Sequence, residues 1–196
     1  PVGERPWAAP RAPDRPAVPP VSTAALAVLA FIAAAIGALS PWMVARIPGL
    51  ASKGVDGTTS SDGKWLLAAA AAGAVLVGAG LWLGLNGTPR RTVVSTFSLA
   101  AGAAAFGALH AWWAHNDIAR ASDQLRELAH GQLPEMAARM PAALGMRVDE
   151  ATAEAIRQSV RSLEVGFGWG FWMSVAGLAV GAAAAVVTAA RVTRAE

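Results

Sequence analysis

The chain has 196 residues, 55% hydrophobic and 15% charged, with no cysteine and a formal net charge of +3. The mean hydropathy of +0.43 describes surface that faces lipid and other helices rather than water, and zero cysteine excludes palmitoylation or a lipoprotein anchor. A pI near 10.5 invites a nucleic-acid reading, but no basic stripe with interleaved aromatics is present, so no nucleic-acid partner is expected.

Residues 1–21 read as a Pro-rich tail, Pro1-Val2-Gly3-Glu4-Arg5-Pro6-Trp7 through Pro19-Pro20. Proline removes backbone donors and the apolar content is too low for a core, so partner contact would order such a tail, with Trp7 as the anchor. Four apolar stretches follow, at 23–42, 65–85, 92–113 and 167–190. Each is close to the roughly 20 residues that cross a hydrocarbon core of about 30 Å. None contains Asp, Glu, Lys or Arg, and a charge at mid-bilayer costs about 2.5 to 3.5 kcal/mol on insertion scales. The first stretch is too long for a signal peptide and ends in Pro41-Trp42-Met43 rather than a small-residue cleavage pattern. The expected fold is therefore an all-α membrane protein: a four-transmembrane-helix bundle over 22–190, with a helical hairpin in the second outer loop and a C-terminal tail at 191–196.

The basic residues set the expected orientation. Arg5, Arg11, Arg15, Arg90, Arg91, Arg191 and Arg194 lie in the tails and the short second connection, which predicts both termini in the cytoplasm of a bacterial inner membrane. Outer loop 43–64 contains two Asp-Gly pairs, Asp56-Gly57 and Asp62-Gly63, that mark tight turns. Its acids lack the alternation and terminal Glu of a calcium loop, so no metal is expected there. In the longer connection, 116–165, Ile118, Ala121, Leu125, Leu128 and Leu133 recur at helical spacing, and Ile156, Val160 and Leu163 do so after a Met140-Pro141 break. Two amphipathic helices are expected, folded back as a hairpin and covering one another's apolar stripe, with Asp149 and Glu150 at the start of the second.

Trp42, Trp65, Trp112, Trp113, Trp169 and Trp172 all fall at helix ends that this topology places outside. They form either an interfacial belt or the rim of a groove for a lipid. Gly80 with Gly84, Ala103 with Gly107, Ala33 with Gly37, and Gly177 with Gly181 each sit four apart, giving smooth faces for close helix approach, within the bundle or to a partner. Contacts to a partner or lipid are thus expected at Trp7, Trp42, Trp112, Trp113, Trp169, Trp172, Gly80, Gly84, Gly177 and Gly181. His110 and His115, five apart, point about 140° from one another around a helix, unlike zinc-binding pairs, so they and His130 read as side chains at a wet interface. No metal or cofactor is expected. No catalytic motif is present either: Ser95, Ser98 and Ser174 have no evident basic partner, and a Ser98–His110 pairing is only formally conceivable.

The Leu39-Ser40-Pro41-Trp42 ending of the first span, Asp62-Gly63 before the second, and Gly166-Phe167-Gly168-Trp169-Gly170-Phe171 at the fourth resemble small four-span integral membrane proteins of actinobacteria, of mycobacterial type. In topology alone the chain is also similar to claudins and tetraspanins, without their cysteine signatures. The actinobacterial resemblance implies a non-catalytic accessory subunit of a larger inner-membrane complex, in a lipid-import setting, whose partners are other integral membrane subunits and membrane lipids. The alternatives are an independent binder of a lipid or hydrophobic ligand, and an accessory subunit of a respiratory complex near quinone or haem.

Overall fold

The computed structural model describes residues 18–48 and 51–194; Trp7 lies outside them. Four helices are long and apolar enough to cross a membrane: α1 (Val21–Ala38), α2 (Ser61–Leu85), α3 (Arg90–His130) and α6 (Trp169–Arg194). The chain is a multi-pass membrane protein. Around the bundle α1 packs on α2, α2 on α3, α3 on α6, and α6 back on α1.

Small residues make this closure possible. Gly177 of α6 lies so close to α1 that a Cβ would sit 2.6 Å from the Ala30 carbonyl oxygen, and Gly37 of α1 faces Ser174 and Gly170 of α6 equally tightly. The Ser174 hydroxyl, wholly buried, lies 2.9 Å from the Gly170 carbonyl oxygen and 3.2 Å from that of Ala34. Phe31, at the centre, fills the space left by Gly73 of α2 and Gly181 of α6, and Phe97 of α3 fills that beside Gly80. Gly84 is also buried. Gly80, Gly177 and Gly181 therefore face other spans of this chain and Gly84 is buried, so of the two roles open to these small faces the structure fills the one within the bundle. The physical reason is that these spans carry few large side chains, so bundle contact depends on glycine.

The α2–α3 connection is set by Gly87, whose φ of 73° lets Thr88 N–H donate to the Leu83 carbonyl and Gly87 N–H to that of Gly84. This pairing closes α2 and turns the chain within four residues.

The all-α expectation needs one correction. Residues expected as a turn-rich outer loop instead form β1 (Pro41–Ile47) and β2 (Ala51–Asp56), and β3 (Glu164–Phe167), just before α6, joins them in an antiparallel sheet of order β2-β1-β3. Ladder hydrogen bonds satisfy backbone that a loop beside apolar helices would leave unpaired. The Asp56-Gly57 pair opens a short 3-10 turn over Gly57–Thr59, whereas Asp62-Gly63 lies inside the first turn of α2, capped by Ser60, whose Oγ accepts from Gly63 N–H at 3.0 Å.

A second difference concerns 116–165. α3 does not stop near Trp113 but continues to His130, and its 41 residues span about 61 Å, twice the hydrocarbon thickness. Beyond the bundle it carries α4 (Leu133–Ala143) and α5 (Glu150–Arg161). The hairpin partners are therefore α4 and α5, which pack chiefly on each other and more lightly on α3. Arg126 of the α3 extension donates to the Val165 carbonyl at 3.0 Å, fastening β3 to it.

Candidate functional site

Between α3 and α6, reaching to their sheet end, lies a cleft of about 430 Å³. Its walls are methyl groups: Ala101, Ala105 and Ala108 on one side, Ala179 and Ala182 on the other, with Leu178 at the base. Trp112 and Trp172, both exposed, stand at its sheet end. Alanines one helical turn apart on facing helices leave a channel that larger side chains would have filled.

The polar end of the cleft is His115. Its ring stacks on Phe167 at 4.7 Å and 7° and lies 6.3 Å from Trp112 at 23°. Phe171 completes the aromatic group, 5.0 Å from Phe167 and 5.3 Å from Trp172. Stacking takes the faces of the imidazole and leaves its edge, where both nitrogens lie. No hydrogen-bond partner for either nitrogen is present among the described residues, and no lining residue is charged.

His110 behaves differently, although only five residues away. It is 8% exposed, and its Nδ1–H donates to Asp62 Oδ1 at 2.8 Å, an ionised carboxylate being only an acceptor. Trp65, Phe106 and Trp113 surround the imidazole at 6.1, 4.7 and 5.1 Å. The pair ties the start of α2 to α3, so the reading of His110 as a wet interfacial residue is corrected: burial forced it to take a partner. Twelve residues separate Ser98 from His110 on the one helix α3, about 18 Å along its axis, so the two side chains do not meet.

Of the tryptophans marked from sequence, Trp112, Trp113, Trp169 and Trp172 are exposed at the sheet end. Trp42 is not. It is 3% exposed, its indole N–H donates to the Gly37 carbonyl at 3.1 Å, and it meets Phe171 edge-on at 5.5 Å. The register slips between Pro41 and Met43, and this bulge turns the ring into the core against Gly57. Trp42 is corrected from a contact residue to a core residue. A smaller cavity of about 230 Å³ lies under β1 and β2 beside Asp56, Asp62 and Asp117, and no cluster of three or more metal-ligating side chains occurs among the described residues.

Beyond the bundle, α4 is built with its large apolar residues outward. Pro134 and Ala138 are buried and Leu133 is half-buried, while Met136 and Met140 of α4, and Leu144 and Met146 just after it, are 59–73% exposed. Gly145, at φ 76°, ends the helix, with Met146 N–H donating to the Pro141 carbonyl, and so keeps Met146 beside the stripe. One guanidinium links the two helices of the platform. Arg157 Nη1 donates to Glu150 at 2.9 Å and to Glu154 at 3.0 Å, and its Nε lies 3.1 Å from Glu135 of α4. Hydrogen bonds to Glu150 and Glu154 hold this guanidinium protonated beyond its ordinary range. At the start of α5, Asp149 accepts from Thr152 N–H at 2.9 Å, and its pKa is lowered chiefly by hydrogen bonding to Thr152.

Sequence reasoning placed His115 at a wet interface and allowed a lipid groove rimmed by tryptophans, but it missed the stacking of His115 on Phe167 and the alanine walls, because a lone His among alanines carries no motif. It also missed that the methionine stripe stays uncovered. The outward spacing of Met136, Met140 and Leu144 was the available signal.

Compared with known proteins, the chain matches no protein family, no curated protein and no solved structure.

Proposed function

We propose that the protein is a non-catalytic accessory subunit that docks a second integral membrane protein through its α4–α5 platform. The observation that carries this reading is the inverted helix α4, which buries Pro134 and Ala138 and exposes Met136, Met140 and Leu144. A helix that served only its own domain would turn its largest apolar side chains inward. Exposed apolar stripes of this kind mark interaction surfaces, and methionine suits them because it is flexible and polarizable. The stripe stands on an α3 extension that rises about 25 Å past Trp113, beyond the reach of lipid and at the height of another protein's exposed domain.

Arg139 and Arg147 flank the stripe, both exposed, and neither has an acidic partner among the described residues. A partner surface with an apolar socket rimmed by Asp or Glu fits this pattern. The setting to test first is lipid import in a bacterial inner membrane, following the actinobacterial resemblance. Arg90, Arg91, Arg191 and Arg194 at the end opposite the sheet support cytoplasmic termini, with the platform outside.

The test is tagged purification from the source membrane in mild detergent, with mass spectrometry of the proteins recovered. A multi-pass partner in fixed ratio, lost in the double variant Met136→Lys, Met140→Lys while the variant still inserts and elutes as a folded bundle, supports the proposal. Recovery of the lone chain, or a partner that the double variant retains, overturns it.

A further inference from the structure

The α3–α6 cleft has a shape and a polar end that docking through α4 does not use. We infer that it is a binding site for a neutral, single-tailed amphiphile whose head oxygen hydrogen-bonds the imidazole edge of His115.

The tail follows from the walls. From Ala101 to His115 the α3 side of the cleft is about 21 Å long, and from Phe171 to Ala182 the α6 side is about 17 Å. Both exceed the roughly 15 Å of one leaflet's half of the core. The volume of about 430 Å³ lies within the roughly 300 to 1,000 Å³ usual for small-molecule sites, too little for a two-chain phospholipid. One extended hydrocarbon or prenyl chain fits between the alanine walls, with Leu178 beneath it.

The head follows from what the cleft contains and what it lacks. His115 is held by Phe167 and Trp112, its nitrogens have no hydrogen-bond partner among the described residues, and an imidazole offers both a donor and an acceptor. A carbonyl or hydroxyl oxygen satisfies either role. The lining has no Lys or Arg, so a phosphate head would find no fixed cationic partner beside His115, whereas a neutral head needs only the imidazole's hydrogen bond. The exposed indoles of Trp112 and Trp172 mark the depth at which a polar head leaves the hydrocarbon. The site stands whether or not the platform binds a partner, since none of its lining residues belongs to α4 or α5.

Two chemistries share these features, an aliphatic alcohol or ketone and a prenylated quinone. The experiment uses the full-length protein in phosphatidylcholine nanodiscs, with hexadecanol bearing a mid-chain diazirine as the photoreactive probe. Labelling is expected to concentrate on peptides covering 101–115 and 171–182 and to be displaced by excess unlabelled hexadecanol or decyl benzoquinone. The stronger competitor identifies the head. His115→Ala is expected to weaken displacement roughly two- to tenfold, the worth of one hydrogen bond, with His115→Gln restoring part of it. Ala179→Leu, which leaves His115 intact and fills the channel, is expected to abolish cleft labelling. Labelling spread evenly over lipid-facing residues such as Leu29 and Val75, or a pattern unchanged in both His115→Ala and Ala179→Leu, overturns the inference.

Discussion

At Trp42 the chain leaves α1 and enters β1, and the register slip there turns the indole inward, onto Gly57 and Phe171. One residue thereby joins helix, sheet and 3-10 turn. Replacing a fully packed aromatic with Ala costs about 3–5 kcal/mol, so Trp42→Ala is expected to lower unfolding stability in detergent by that amount, and an effect below about 1 kcal/mol would contradict the packing described. Asp62 permits a finer test. Asp62→Ala leaves the His110 Nδ1–H buried without an acceptor, a loss of about 1–3 kcal/mol. Asp62→Asn keeps an acceptor oxygen in place and is expected to recover most of it, as chemical denaturation of both variants would show. The histidines also show what residue-level reading can reach. Their five-residue spacing argued correctly against a shared face, but it carried no information that Asp62, forty-eight positions earlier, would meet His110, or that Phe167 would meet His115.

Among the elements, α3 carries the α4–α5 platform, and capping chemistry controls the start of α5. Hydrogen bonding to Thr152 lowers the Asp149 pKa from its ordinary 3.8. The unfolded chain therefore takes up the proton at higher pH than the folded one. The cap contributes fully above about pH 3.8 and is lost as pH falls through the lower folded-state value. Amide exchange in the first turn of α5 is expected to stay slow from neutral pH down to that range and to accelerate below it, after correction for intrinsic rates. In Asp149→Ala the turn is expected to exchange fast throughout, with no such pH step. The spans were legible because four charge-free runs of the right length admit few other structures. The sheet was not. β2 reads Ala51-Ser52-Lys53-Gly54-Val55-Asp56, poor in strand formers, and β3 lies more than a hundred residues from β1, so their pairing is a tertiary event. The continuation of α3 was hidden by Ala114-His115-Asn116-Asp117, where Asn and Asp resemble a helix end. Packing of Ala114, Ser122 and Ala129, all buried, carries the helix through.

For the whole molecule, four crossings put the start of α1 and the end of α6 on one side and the sheet on the other. The chain has no cysteine, so single substitutions report topology without background. Thr58→Cys, at the sheet end, is expected to react with an impermeant maleimide in intact cells, and Thr88→Cys, in the α2–α3 turn, only after lysis. The reverse result would invert the orientation and place the platform in the cytoplasm. The small-residue faces illustrate why sequence could not separate internal from external contacts: Gly177 and Gly181 have the same spacing in either case, and only the position of Phe31 and Ala34 shows that α1 occupies them. With those faces used internally, the proposed docking rests on the exposed methionines of α4. The most direct measurement is photocrosslinking in intact membranes from a photoreactive methionine analogue at Met140. One adduct of defined mass, containing an integral membrane protein and absent when the analogue replaces Met43 instead, is the predicted result. Crosslinks to lipid alone, or none above background, would contradict the accessory role.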